Sequence, residues 1–231
     1  ENASFYYPDG GFVNMYYSVL RKAESLGVIS AKEEIKELKR TSDGFLVNNH
    51  LKVDHVISTL PLNEVPRILS PQPPGEVLAA AGRLEYNSVL VVGIGLKMKA
   101  PPQHWIYVPD KRVIFHRYAW ISNYLSEPPE DRASLIAEIT IPPGHDINVE
   151  NLVDETKKGL IELGVISEDK IEVTKAWFHK YGYPVYTKTH STDREIIERY
   201  LGELGIKTFG RWGNWHYWNT DVIYKKSSEI I

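Results

Sequence analysis

The chain has 231 residues, enough to bury a substantial core as one large domain or two interleaved smaller ones. Its 27 basic and 30 acidic residues leave a net charge of −3, which gives no electrostatic footprint for nucleic acid or an anionic membrane. Cysteine is absent, which excludes disulfides, a thiolate nucleophile and thiolate-bound metal, and a reducing cytoplasm fits that usage best. No apolar run approaches the roughly 20 residues of a membrane helix. The sequence opens at Glu1 without a basic and apolar leader pattern and runs straight into a turn, which reads as a cut edge left by truncation, proteolysis or a split gene.

In chain order, Pro8-Asp9-Gly10-Gly11 is a turn signal, and Phe12, Met15, Tyr16, Val19, Leu20 and Ala23 follow at helical spacing up to Gly27. Val28-Ile29, Ile35 to Leu38, Phe45 to Val47 and Val53 to Thr59 predict short strands, with Ser42-Asp43-Gly44 as a hairpin turn. Asn63 is placed to cap a brief helix reaching Leu69, and Pro71, Pro73, Pro74 and Gly75 predict a linker. Val89 to Met98, His104 to Val108, Arg112 to Tyr118 and Ser134 to Ile139 are strands with hairpin-length connections, hence an antiparallel sheet. A helix over about 149–163 ends at Gly164, and a strand over Lys170 to Phe178 follows it. Thr192-Asp193-Arg194-Glu195 has the pattern of a capping box opening a helix that Gly205 closes, and Ile206 to Phe209 is a last short strand. The class is mixed α and β in two lobes.

Most site chemistries find no residues. The eight histidines are scattered without metal-ligand spacing, and there is no Gly-x-Ser-x-Gly elbow or phosphate-binding Gly-x-x-x-x-Gly-Lys loop. Val91-Val92-Gly93-Ile94-Gly95 lacks the third glycine of a dinucleotide fingerprint, so its glycines are expected where another backbone comes close.

What remains is Gly210-Arg211-Trp212-Gly213-Asn214-Trp215-His216-Tyr217-Trp218-Asn219-Thr220-Asp221. A strand ends in two glycines bracketing an arginine, aromatics follow, and Asn219 and Asp221 sit where a last helix should begin. Such glycines let backbone approach a flat ligand, and the N–H groups of a helix amino terminus can hold a carbonyl-rich or anionic edge. On the residues alone a second reading stays open, in which the aromatics are core and Arg211 is a surface ion-pair partner.

The pattern Gly210, Arg211, Gly213, Tyr217, Asp221 resembles the closing flavin-binding motif of the superfamily of flavin amine oxidases, protoporphyrinogen oxidases and UDP-galactopyranose mutases. Tyr6-Tyr7-Pro8-Asp9-Gly10-Gly11 is similar to its Tyr-Pro-x-Gly-Gly turn. Ile35 resembles the strand position that meets the adenine of FAD, and Val56-Ile57-Ser58-Thr59-Leu60-Pro61 the strand end that hands over to the substrate domain. His104 to Pro109, Phe115 to Tyr118, Asn123, Ser134 to Glu138 and Tyr183-Pro184-Val185-Tyr186 resemble that substrate domain.

The resemblance implies an α+β fold made of a partial FAD-binding lobe and an antiparallel-sheet substrate domain with flanking helices. It places residues 1–70 in the FAD lobe, 71–204 in the substrate domain and 205–231 back in the FAD lobe. Gly10, Gly11, Ile35, Thr59, Pro61, Gly210, Arg211, Gly213, Tyr217 and Asp221 would face the cofactor, and Trp105, Tyr107, Arg117 and Tyr186 a small-molecule substrate. Alternation groups Arg117 with Phe115 and Val113 on one strand face, so Arg117 is expected to have either an anionic ligand or a structural carboxylate partner such as Glu138. His116 is expected to be structural. The family's N-terminal Gly-x-Gly-x-x-Gly unit is missing from this sequence, which implies weak or no FAD binding by this chain alone and a partner half that supplies the loop. Three functions follow as alternatives: a flavin-dependent oxidoreductase, a flavin-dependent sugar-nucleotide mutase, or a non-catalytic partner-binding module.

Overall fold

The computed structural model describes residues 6–145 and 147–230. In chain order the elements are α1 (Phe12–Ser25), β1 (Leu38–Thr41), β2 (Gly44–Val47), β3 (Leu51–Val53), β4 (Val56–Ser58), a 3-10 turn at Val65–Arg67 and β5 (Leu69–Ser70). There follow α2 (Gly75–Arg83), β6 (Tyr86–Leu96), β7 (Trp105–Tyr107), β8 (Arg117–Trp120), β9 (Ala133–Ile141) and α3 (Val149–Glu162). The chain ends with β10 (Ile171–Pro184), α4 (His190–Glu203), β11 (Ile206–Thr208), the short α5 (Gly210–Gly213) and α6 (Thr220–Ser227). Among the described residues no helix is long and apolar enough to cross a membrane.

Two compact units share this chain. One comprises the residues up to Lys32 and Val89–His179; the other comprises Glu33–Ser88 and everything from Lys180 on. One changeover lies between Lys32 and Glu33 and the other two fall inside β6 and β10, whereas the sequence reading put changeovers at 70 and 204. The reason is long-range packing: α2 and α4, both assigned to the substrate domain from sequence, pack on each other and share one core with Leu38, Phe45, Leu62 and Ile206.

The first unit is built on a five-stranded sheet in the order β10-β6-β9-β8-β7, with β7–β8 and β8–β9 antiparallel. Strict alternation along β9 buries Ala133, Leu135, Ala137, Ile139 and Ile141, which meet Leu90, Val92, Ile94 and Leu96 of β6 and Leu160 of α3 in one core. Asn148 caps α3 by accepting a hydrogen bond from the Asn151 amide at 3.0 Å. Gly93 and Gly95 do not serve backbone approach. A Cβ there would lie 2.7 Å from Trp177 Cζ3 and 2.6 Å from Val173 Cγ1, so the neighbouring strand's side chains use the space. The Arg112 to Tyr118 strand is shorter than expected and starts at Arg117. With residues 111–116 irregular, the alternation breaks: Phe115 enters the core while Arg117 lies on the opposite sheet face.

The second unit holds a four-stranded sheet, β3-β2-β1-β5, and a two-stranded parallel sheet, β11-β4. The expected strands at Val28-Ile29 and at Ile35 do not form. Asn48, held at φ 45, instead accepts from the Lys36 and Glu37 amides at 2.8 and 3.2 Å and donates to the Glu34 carbonyl at 2.9 Å, so a side chain replaces a ladder. The single strand expected over Val53 to Thr59 is divided between the two sheets as β3 and β4, and the expected proline linker opens directly into α2 with Pro74 as its N-cap residue.

Helix α4 begins two residues before the expected capping box, at His190. Asp193, the second residue of that four-residue pattern, lies in the first turn of the helix. It is 1% exposed and accepts hydrogen bonds from Arg83 Nε at 2.9 Å and Nη2 at 2.5 Å. Burial alone would raise its carboxyl pKa, but the hydrogen bonds from Arg83 and Thr189 and the charges of Arg83 and His190 outweigh burial and hold it below the usual carboxylate range. A depressed acid contributes stability above its unfolded pKa, about 3.9, and loses it as pH falls through the lower folded value. The urea midpoint of the natural chain is therefore expected to exceed that of Asp193→Asn at neutral pH, and the gap to narrow only below about pH 4. A gap constant across that range would show that the carboxylate's charge contributes nothing.

Candidate functional site

The expected site residues are divided between the two units. In the first unit the register pairs Trp105 with Ala119, Tyr107 with Arg117, and Arg117 with Glu138, so these side chains share the sheet face opposite the core. Trp105 and Tyr107 are 47% and 67% exposed and stand on the edge strand, with ring centroids 6.3 Å apart. The Arg117 guanidinium lies 4.5 Å from the Trp105 ring centroid and 2.5 Å from Glu138 Oε2, with only 14% and 13% of the two charged side chains exposed. Of the two partners expected for Arg117, the structural carboxylate is present. His116 is held as expected of a structural residue: its amide donates to the Glu138 carbonyl, its carbonyl accepts from Val108, and Nδ1 lies 3.3 Å from Thr140 Oγ1. Burial, then the Arg117 charge, lowers its pKa and favours the neutral ring.

Gly10 and Gly11 belong to the same unit. They form the turn before α1 at φ 74 and 88, closed by the Gly11 amide to the Pro8 carbonyl at 2.9 Å. Tyr7 anchors the turn against Phe12 and Tyr124, with centroids 5.2 and 5.0 Å away.

The second unit holds Thr59, Pro61, Gly210, Arg211, Gly213, Tyr217, Asp221 and Tyr186. Strand β4 ends at Ser58, and the Gly210–Gly213 turn closes over that end: the Leu62 amide donates to the Trp212 carbonyl at 3.0 Å. A Cβ on Gly213 would lie 2.9 Å from the Ser58 carbonyl oxygen and 3.5 Å from Thr59 Cα. Close approach is thus required at Gly213, but it is the strand end that approaches. Gly210 needs glycine for a different reason, φ 94, and the space where its Cβ would stand is open to 4 Å.

Arg211 is the charged centre of this cluster. Its guanidinium carbon lies 4.2 Å from the Tyr217 ring centroid and 5.3 Å from that of Tyr183, these rings are stacked at 5.7 Å and 19°, and Nη2 donates to the Gly182 carbonyl at 3.3 Å. Among the described residues no carboxylate comes within ion-pair distance of Arg211, contrary to the ion-pair reading of its sequence. Tyr186 accepts from the Tyr217 amide at 2.8 Å and so joins the Tyr183–Tyr186 segment to the glycine turn. The aromatics divide as neither simple reading expected: Trp215 is fully buried, Trp212 half-buried and Tyr217 49% exposed. Helix α6 starts at Thr220, with Asn219 as its N-cap residue making no side-chain cap bond and Asp221 in the first turn. Ile35 precedes β1 in an irregular segment, and its backbone makes no hydrogen bond among the described residues.

Two contributions escaped the sequence. Tyr183, the second ring against Arg211, was visible only as part of a resembling segment. The Glu64 carboxylate, which accepts from Tyr181 and from Lys180 Nζ, gave no signal at all; burial first, then that hydrogen bond, pushes the Tyr181 phenol up to about 12.

A family model described as flavin containing amine oxidoreductase matches residues 2–210. No curated protein matches at the level of sequence. Among solved structures, a reduced UDP-galactopyranose mutase superposes with TM-score 0.81 at 23% identity, covering 91% of this chain and 47% of that one. A protein of Exiguobacterium sp. 255-15 assigned as a protoporphyrinogen oxidase gives 0.66 at 15% identity, over 92% of this chain and 51% of that one. A CLA-producing fatty acid isomerase from P. acnes gives 0.65 at 14% identity, over 95% and 51%. The likenesses establish a shared fold, and this chain spans about half the length of these structures.

Proposed function

Since the chain belongs to the flavin containing amine oxidoreductase family, we propose that it is the part of a FAD-dependent oxidoreductase that closes over the flavin and presents a small-molecule substrate. The observation that carries this reading is the joining of the strand end at 58–61 to the Gly210–Gly213 turn. The residues fit part of the cofactor. The open space at Gly210 suits the close approach of a flat ring. The given sequence holds no glycine loop for the pyrophosphate, and in this reading further polypeptide supplies it.

Thr59, Pro61, Gly210, Arg211, Gly213, Tyr217 and Asp221 would hold the ring side of the cofactor, and Gly10, Gly11 and Ile35 the adenine side. Bound flavin supplies the hydride-accepting chemistry. This chain's own residues orient the substrate: Trp105, Tyr107 and Tyr186 offer exposed aromatic surface, and Arg117, tied to Glu138, sets the Trp105 ring from beneath. The composition fits a cytoplasmic site of action.

Arg211 favours one second reading. A guanidinium flanked by two tyrosines and lacking a carboxylate suits the diphosphate of a sugar nucleotide, in a mutase reaction without net redox. Co-expression with the polypeptide encoded immediately upstream tests both. A yellow complex bleached anaerobically by candidate amine or porphyrinogen donors supports the oxidoreductase. Binding of UDP that Arg211→Met weakens by about tenfold or more, with no bleaching by donors, supports the mutase. A complex that purifies without flavin overturns both.

A further inference from the structure

Helix α4 meets the segment after the glycine turn through two residues one turn apart, His190 and Arg194. His190 is buried, and its Nε2 lies 2.9 Å from the Trp215 carbonyl oxygen. A carbonyl only accepts, so Nε2 carries the proton. Arg194 Nη1 bonds His216 Nε2. A guanidinium only donates, so this ring nitrogen is bare and His216 is neutral.

The backbone on either side of His216 is pinned as well. Trp215 is held at φ 51, a left-handed conformation that costs a bulky residue energy and persists only where its surroundings impose it. The His216 amide donates to the Arg211 carbonyl at 2.9 Å, the Tyr217 amide to Tyr186 Oη at 2.8 Å, and the Trp218 amide to the His216 carbonyl at 2.9 Å. With the Trp215 carbonyl on His190, every polar group of the two peptides flanking His216 is bonded. That path lays the Tyr217 ring 4.2 Å from the Arg211 guanidinium, while the His216 ring stacks on Trp218 with centroids 5.1 Å apart.

The two histidines respond differently to a proton. His190 can take one at Nδ1 and still donate from Nε2. His216 can take one only at the nitrogen that accepts from Arg194, which sets two cations face to face. The other charges acting on His216 are those of His190, with its ring centroid 6.0 Å away, and of Lys226 in α6, and neither is negative. Glu198, the carboxylate beside Arg194, already accepts from Asn214 at 3.2 Å and pairs with Arg194 Nε at 3.8 Å. Burial, then the charges of Arg194, His190 and Lys226, lowers the His216 pKa.

We infer that neutral His216, held by Arg194, is the positioning residue that keeps Tyr217 against Arg211, and that a proton on His216 releases the turn and parts those two side chains. The inference rests on the proposed function only in taking Arg211 as a ligand-facing group.

Nuclear magnetic resonance of the isotope-labelled chain tests it. At about pH 7.5 the Arg211 δ-protons are expected upfield of free arginine because of the Tyr217 ring, and below about pH 6.5 they should return towards the free position in step with the His216 ring titration. His216→Gln keeps an acceptor for Arg194 but does not titrate, so its Arg211 signals should stay upfield down to about pH 5.5. Arg194→Met should speed exchange of the Tyr217 amide about tenfold or more at neutral pH, leave the α2 amides unchanged and abolish the acid step. Arg211 signals that ignore the His216 titration, that move equally in His216→Gln, or that move only as the α2 amides lose protection overturn the inference. In the complex co-expressed with the polypeptide encoded immediately upstream, the natural chain is expected to lose flavin below about pH 6.5 about tenfold faster than His216→Gln. Arg211 signals that follow His216 in the chain alone, together with equal flavin loss from the two complexes, support the positioning role and overturn the cofactor-facing reading of Arg211 instead.

Discussion

Glu138→Ala is expected to lower the stability of the chain by about 3–5 kcal/mol, the usual result of removing one partner from a desolvated ion pair. Glu138 and Arg117 are directly opposite on β9 and β8, with side chains 13% and 14% exposed and a charged hydrogen bond of 2.5 Å. Removing the carboxylate leaves a guanidinium that is stacked under Trp105 and too little exposed to recover its hydration. Glu138→Gln keeps an acceptor in place and should cost less. The double replacement Arg117→Met/Glu138→Leu should recover most of the loss, because burying two apolar side chains avoids the desolvation of two charges. Urea unfolding of the three variants measures this directly. If Glu138→Ala left stability unchanged, the pair would be free to separate and Arg117 to meet a substrate anion. A large loss instead makes Arg117 a fixed support for the exposed Trp105 and Tyr107 surface.

That pair shows where sequence reasoning stops. Elements set by local signals were legible: the Asp9-Gly10-Gly11 turn into α1, the Ser42-Asp43-Gly44 hairpin, α3 up to Gly164, and the start of α6 near Asn219. The antiparallel sheet was legible because alternation in β9 is strict. Helix α2 was missed because Pro73-Pro74-Gly75 reads as a linker, although Pro74 stands outside the helix where a missing N–H costs nothing. Its apolar face is only Val77, Ala80 and Ala81, too small to produce a strong period. The start of α4 was misplaced because Thr192 and Glu195 have the spacing of a capping box, yet the helix already runs from His190, and Asp193 is held by Arg83, a partner 110 residues away. Ile35 was drawn into a strand by its composition, but Asn48 takes the neighbouring amides. For the site, the Gly-Arg-x-Gly spacing located the turn and its neighbours. It could not say whether glycine was needed for a ligand or for another part of the chain, since that depends on which backbone arrives there.

Gly213→Val separates those two needs. The added Cβ would stand 2.9 Å from the Ser58 carbonyl oxygen, 3.5 Å from Thr59 Cα and 3.8 Å from the Leu60 carbonyl oxygen. All three are backbone atoms, which cannot rotate aside as a side chain would. Relief requires the turn to lift from the strand end, stretching the Leu62 to Trp212 hydrogen bond and disturbing the close packing beside Trp215, which is fully buried. Overpacking of this kind costs about 1–3 kcal/mol, and valine should fall at the upper end. Gly210→Ala provides the comparison: nothing lies within 4 Å of its Cβ, so its cost comes from holding alanine at φ 94, about 1–2 kcal/mol. If the turn's glycines serve mainly the strand end, Gly213→Val destabilises the chain alone and Gly210→Ala less so. Flavin content of the co-expressed complex then falls with Gly213→Val through the displaced turn, whereas Gly210→Ala lowers it only by intruding on the open space. Loss of flavin from Gly213→Val with the chain's unfolding midpoint unchanged would mean that the strand end yields freely and that the ring itself demands the glycine.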